Sequence, residues 1–242
     1  MSDGTSPKPR SSVVICALPR SGSSLLGALL HSSGIVSRPA EWFWRDDRER
    51  LSREWRVRRF EDYLPRVLEA GTSPNGVFAM KLMWGYFHEL LFELRRLARE
   101  YDADDLAVLR SFFPEPRFVW IRRMDVVAQA VSWAKAAQTE QWAAHQPSQR
   151  EPEFDFEQID ALYNLSRVHD GYWCRWFAAH GIEPFSVVYE QLAAEPEDAV
   201  HEVLAFLGLE AEAPLSIPAN LTRQADAVNG EWIARYRELA GL

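Results

Sequence analysis

Short apolar runs bounded by turn residues recur along this chain, and longer stretches with helical spacing separate them. The first run, Val13-Val14-Ile15-Cys16-Ala17-Leu18, is β-branched at its start and too short for a helix. It reads as a strand covered on both faces. Val77-Phe78-Ala79-Met80-Lys81-Leu82 follows the turn signal Ser73-Pro74-Asn75-Gly76, and Phe118-Val119-Trp120-Ile121 follows Pro114-Glu115-Pro116. Pro184-Phe185-Ser186-Val187-Val188-Tyr189 follows His180-Gly181-Ile182-Glu183 in the same way. Between these runs the spacing predicts helices over 86–101, 126–138, 156–180 and 196–207. Strands alternating with helices predict an α/β fold, with helices packed on a central, mostly parallel sheet. Ligands of such sheets bind at the carboxyl ends of the strands. That rule gathers Arg20, Lys81, Arg122-Arg123 and Tyr189-Glu190 around one crevice.

After the first run comes the turn Pro19-Arg20-Ser21-Gly22-Ser23-Ser24, and then Leu25, Leu26, Leu29 and Leu30 at helical spacing. A helix opening there aims unpaired N–H groups and the positive end of its dipole into the turn. Arg20 adds a full charge, so the natural guest is a phosphate or sulfate group. The plainer alternative is a polar connection with a solvated arginine. The turn lacks the Lys and the first Gly of a nucleotide-binding P-loop. It also lacks the hydrolase G-x-S-x-G elbow, because Arg and Pro precede Ser21. The Trp- and charge-rich segment 38–66 reads either as one or two amphipathic helices over the crevice mouth or as an ordinary surface excursion.

With 242 residues, 47% of them hydrophobic, the chain can build one substantial core. The expected organisation is a flexible polar leader over 1–12 and a single domain over 13–242. A net charge of −8 argues against nucleic-acid binding, which needs a basic face, but allows a local basic pocket. Among the arginine clusters only Arg122-Arg123 directly follows an apolar strand. Two cysteines and six scattered histidines offer neither a disulfide framework nor metal-ligand spacing. No run is long enough to insert into a membrane and no signal peptide precedes the first strand, so the expected location is cytoplasmic.

Three separated pieces now converge: L-P-R-S-G-S-S-L-L at 18–26, I-R-R-M-D-V-V-A-Q-A-V-S at 121–132, and V-V-Y-E-Q-L at 187–192 followed by a helix ending F-L-G-L. The set resembles the sulfotransferases that use 3′-phosphoadenosine-5′-phosphosulfate (PAPS). The pieces P-A-E-W-F at 39–43, N-G-V-F-A-M-K-L-M-W at 75–84, D-V-V-A-Q-A-V-S-W at 125–133 and R-Q-A-D…E-W-I-A-R-Y at 223–236 narrow the likeness to the bacterial trehalose sulfotransferase branch. It implies a three-layer α/β/α fold whose first turn is a P-loop-like phosphosulfate cradle. Arg20, Ser21, Gly22, Ser23 and Ser24 would hold the 5′-phosphosulfate, and Arg123 with Ser132 the 3′-phosphate. Arg122 stands in reserve for Arg123, and Arg223 lies in a loop that closes over the donor. Glu41 is the implied general base.

The resemblance implies in-line transfer of a sulfuryl group to a small-molecule hydroxyl, leaving adenosine 3′,5′-bisphosphate and needing no metal. Arg20 would meet the charge that grows on the departing oxygen. Lys81 either contacts the sulfuryl group or acceptor or pairs with a carboxylate at its strand end. Trp42 and Trp84 are candidate acceptor-lining rings. Trehalose-sulfating members carry a sugar-binding carboxylate three residues before the base, where this chain has Arg38. That exchange favours an anionic or differently shaped acceptor: a glycoside, a glycolipid precursor or a secondary metabolite. Members of the branch include homodimers, so the resemblance also admits a dimer. The competing classes are a P-loop-type kinase or NTPase, and a non-catalytic nucleotide-binding protein.

Overall fold

The computed structural model describes residues 8–142, 147–209 and 227–242. Four strands, β1 (Ser11–Ala17), β2 (Val77–Met83), β3 (Pro116–Arg122) and β4 (Phe185–Val188), form one sheet in the order β2-β1-β3-β4. Every pairing is parallel, and β1 sits centrally with Val14 opposite both Met80 and Phe118. Parallel neighbours need crossover connections, and helices supply them here. The described helices are α1 (Ser23–Ser32), α2 (Arg45–Trp55), α3 (Phe60–Gly71), α4 (Trp84–Ala98), α5 (Asp105–Phe112), α6 (Val126–Thr139), α7 (Phe156–Ala179), α8 (Tyr189–Ala194), α9 (Pro196–Leu207) and α10 (Ala227–Ala240).

Alternation along the strands sorts the helices into two layers. Phe118 and Trp120 of β3 face α7, where they meet the rings of Trp176 and Phe177. Arg117 points the other way, over the Phe206 ring of α9. The three-layer α/β/α reading therefore holds. Its main core runs through all four strands, and a smaller cluster of Val127, Val131, Ile159, Trp232 and Tyr236 joins α6, α7 and α10.

The strands lie where the apolar runs predict them, with shifts at their ends. β1 opens at Ser11 rather than Val13, because backbone pairing to Val77 and Phe78 takes in two serines that the apolar pattern excludes. The expected leader boundary at residue 12 therefore falls inside the strand. Tyr189 opens α8 instead of closing β4. Helix α5 has no counterpart in the sequence reading; Asp104 starts it by accepting hydrogen bonds from the Leu106 and Ala107 amides. Segment 38–66 carries α2 and the start of α3, so its helical reading is the correct one. An ion pair from Arg48 to Glu93 ties α2 to α4.

Candidate active site

The turn after β1 is shaped by two left-handed residues. Arg20 has φ 63° and Gly22 has φ 96°, and Ser21 donates its N–H to the Leu18 carbonyl at 3.2 Å. Gly22 is required for two reasons. Its φ is one that side-chain-bearing residues seldom adopt, and a Cβ there would lie 2.4 Å from the Tyr189 ring. Helix α1 begins at Ser23 with no side-chain cap, so its first N–H groups are open to a ligand. The Ser21 hydroxyl is buried without a hydrogen-bond partner, and the residue lines a cavity of about 230 Å³ shared with Arg123, Gln129 and Asp170. An orphaned hydroxyl at the mouth of an open helix N-terminus suits an oxyanion.

Residues distant in sequence lock this turn to α6 and α8. Arg20 donates from Nε to the Ser132 hydroxyl at 3.0 Å and from its terminal nitrogen to the Trp142 carbonyl at 2.8 Å. Gln129 donates to the Pro19 carbonyl at 2.8 Å. The Arg123 guanidinium lies 4.8 Å from the Tyr189 ring centre, on the tyrosine that crowds Gly22. Glu190 accepts both the Met124 and Asp125 amides at 3.1 Å, fixing the loop that carries Arg123. Burial lowers the Arg20 pKa, the Arg123 charge lowers it further, and Tyr189 partly offsets both. Two guanidiniums thus repel each other in a partly desolvated space, and a bound anion would relieve that repulsion.

Arg122 behaves differently from its neighbour. It makes a bidentate pair with Asp170 of α7, at 3.0 and 2.5 Å, and stacks 4.4 Å from the Trp120 ring. Its fork is committed to bracing β3 against α7.

Glu41 reaches the same crevice by a backbone device. Ala40 forms an isolated parallel bridge with Met80 on the outer edge of β2, and the Lys81 amide donates to the Ala40 carbonyl at 2.9 Å. This sets Glu41 beside Lys81. The Lys81 ammonium then lies 3.1 Å from Glu41 Oε1 and 3.2 Å from the Ser24 hydroxyl. The lysine paired with a carboxylate, as one of its two readings has it, and the carboxylate is the expected base. Beneath them Tyr86 donates its hydroxyl to the Lys81 carbonyl at 3.1 Å. Burial pushes the Tyr86 phenol well up, and the Glu41 charge adds to the shift.

The remaining expected residues are more scattered. Arg38 is exposed and makes no ion pair among the described residues. Trp42 donates its indole N–H to the Ala79 carbonyl at 2.9 Å and so braces the edge of β2. Trp84 stacks on Tyr172 at 5.4 Å and meets Trp173 edge-on at 5.0 Å. Arg223 lies outside the described residues. No cluster of three metal-ligating side chains occurs among the described residues, and no described helix is long and apolar enough to cross a membrane.

Residues 12–239 match the Stf0 sulphotransferase family. The chain belongs to that family. It is 30% identical over 253 residues to a trehalose 2-sulfotransferase of Mycobacterium tuberculosis, with 93% of each chain covered. A trehalose 2-sulfotransferase of Mycolicibacterium smegmatis is 29% identical, again with 93% of each chain covered. Two solved structures share the fold. A sulfotransferase from Alicyclobacillus acidocaldarius superposes with a TM-score of 0.51 at 16% identity, covering 97% of this chain and 96% of that one. The sulfotransferase domain of the curacin biosynthetic pathway gives 0.50 at 15%, covering 94% and 83%. The protein is accordingly a sulfotransferase.

Within this sulfotransferase, three further residues shape the crevice, and only Asp170 escapes the sequence reading. Tyr189 fills the space between Gly22 and Arg123, Glu190 clamps the Arg123 loop, and Asp170 occupies Arg122. Tyr189 and Glu190 are expected at the crevice from their place at the end of an apolar run. Asp170 has no such signal, since it stands mid-helix among other charges.

Proposed function

We propose that the sulfuryl donor is PAPS, that the acceptor is a hydroxyl of a small molecule, and that Glu41 takes the hydroxyl proton. One observation carries the reading. The Arg20–Ser132 contact and the Ser24–Lys81–Glu41 chain flank the same turn, with an arginine on one side and a lysine–carboxylate pair on the other.

The residues present fit such a donor. Open N–H groups at α1, the orphaned Ser21 hydroxyl and the Arg20–Arg123 pair are a donor set for phosphate and sulfate oxygens. When bound, the donor supplies an activated sulfuryl group and a bisphosphate leaving group. The chain supplies the rest. Arg20, Ser23 and Ser24 orient the phosphosulfate end, and Arg123 with Ser132 holds the 3′-phosphate. Arg20 and the α1 dipole favour the charge that grows on the leaving oxygen, an effect worth about 3–4 kcal/mol per well-placed donor. Glu41 accepts the proton of a hydroxyl held in line.

The two mycobacterial relatives are named for trehalose; the acceptor of this chain is proposed to differ. Exposed Arg38 favours an acceptor bearing a negative group near the reacting hydroxyl, within the class of glycosides, glycolipid precursors or secondary metabolites.

Isothermal titration with adenosine 3′,5′-bisphosphate and with ATP, each with and without Mg²⁺, tests the donor. Metal-independent preference for the bisphosphate is expected, and preference for Mg·ATP would overturn the reading. Labelled PAPS offered with neutral and anionic hydroxyl acceptors then tests the acceptor class. E41Q should bind the bisphosphate yet lose turnover by 10²-fold or more, in line with the usual range for an acid–base group.

A further inference from the structure

Lys81 is poorly exposed, at 12% for its side chain, and a charge so placed needs partners. It has two, and they belong to different halves of the crevice. Ser24 is part of the turn that opens α1, whereas Glu41 arrives on the segment bridged to the edge of β2. The residue is further held by its backbone, its N–H bonded to Ala40 and its carbonyl to Tyr86. The backbone is therefore fixed, and the ammonium at the end of its stem can shift its allegiance between hydroxyl and carboxylate. An ammonium offers three donors on a rotatable head. Any anion entering beside Ser24 competes with Glu41 for that head.

We propose that Lys81 is a positioning residue that couples occupancy of the phosphosulfate turn to the freedom of Glu41. Lys81 bridges the Ser24 hydroxyl and the Glu41 carboxylate. An anionic donor on the turn draws the ammonium toward Ser24 and releases Glu41 for the acceptor hydroxyl. Proton removal from the acceptor is thereby tied to the presence of the donor. The inference rests on the reading that the turn binds the donor and that Glu41 serves the acceptor.

By linkage, what the donor does to Glu41 through Lys81, Glu41 must do to the donor. The test is titration of the full chain with PAPS and with adenosine 3′,5′-bisphosphate, which needs no acceptor. E41Q frees the ammonium and should tighten PAPS by at least about fivefold, the lower range for coupled sites. In the E41Q/K81M double variant that gain should vanish, leaving the affinity of K81M alone. E41Q/K81R, which keeps the cation, should keep most of the gain; K81Q replaces K81M should the latter not fold. A gain of equal size with and without Lys81 would mean simple repulsion between Glu41 and the donor, and would overturn the coupling. So would an E41Q affinity equal to that of the wild type. Turnover of E41Q judges the general-base reading separately: normal turnover removes Glu41 as base while the coupling stands. A wild-type chain that binds neither nucleotide overturns both.

Discussion

The two sides of the crevice are built by different means. On the proposed donor side most polar groups are fixed by a group from another element: Arg20 by Ser132, Pro19 by Gln129, and the Arg123 loop by Glu190, with the Ser21 hydroxyl left unpaired. On the acceptor side the segment is held by backbone bonds, by Trp42 and by peripheral ion pairs, while Arg38 and Trp44 are left exposed. The proposed phosphosulfate donor has the same oxygens in every enzyme that uses it, so a site for it can be rigid. Acceptors differ, and the side proposed to meet them is fastened largely by its backbone, leaving exposed side chains such as Arg38 and Trp44 free to vary.

The largest break in this contrast should come from Arg20. Arg20→Ala removes a charge beside the turn and the Ser132 contact together, and turnover should fall by 10²- to 10³-fold. Acceptor KM should move far less in the same steady-state series; equal loss of both would place Arg20 outside the donor side. Gly22→Ala comes next. The left-handed φ and the Tyr189 contact together should cost about 1–3 kcal/mol of stability, read by denaturant unfolding. Donor affinity should fall with it, and trimming Tyr189 in the same chain should relieve the contact but not the backbone strain.

Arg38→Glu probes the other side. Donor affinity should stay within twofold of wild type, while discrimination between anionic and neutral acceptors should change by about fivefold, as for a rim charge worth roughly 1 kcal/mol. The smallest effect concerns the α2–α4 brace. Burial of Glu93 would raise its pKa, yet Arg48 and Arg96 outweigh it and hold the carboxyl below its usual value. A depressed carboxylate adds stability above its unfolded pKa and loses it as pH falls through the folded one. Glu93→Gln should therefore flatten the acid limb of stability below about pH 4.5, by under ~1 kcal/mol for a partly exposed pair. Unfolding midpoints at pH 6 and below pH 4 would show it.

The sheet was legible because β1, β2 and the middle of β3 are buried on both faces, and burial writes continuous apolar runs into the sequence; β4, at the edge, keeps only a short apolar run after a turn. Ser11 and Ser12 escape that signal, as backbone pairing places no demand on their side chains. Short helices such as α5 and α8 depend on a cap or a following turn, which periodicity over a few residues does not reveal. At the site, Arg20 and Ser132 carry motif signals, and the structure joins them directly. The Tyr189 contact with Gly22 is invisible along the chain, because it exists only once β4 lies two strands from β1. Lys81 showed the limit most plainly: its two readings were contact with substrate and pairing with a carboxylate, and only folding identifies that carboxylate as Glu41.

The bridge between Ala40 and Met80 has a consequence beyond placing Glu41. β2 is the outermost strand of the sheet, and the bridges from Ala40 and Thr72 occupy backbone groups that another chain could otherwise use. The segment that delivers the carboxylate is thus also a guard against strand-to-strand self-association. Substitutions that loosen residues 38–41 should therefore announce themselves in light scattering as well as in assays, and a poorly behaved preparation of such a variant would be a report on that guard.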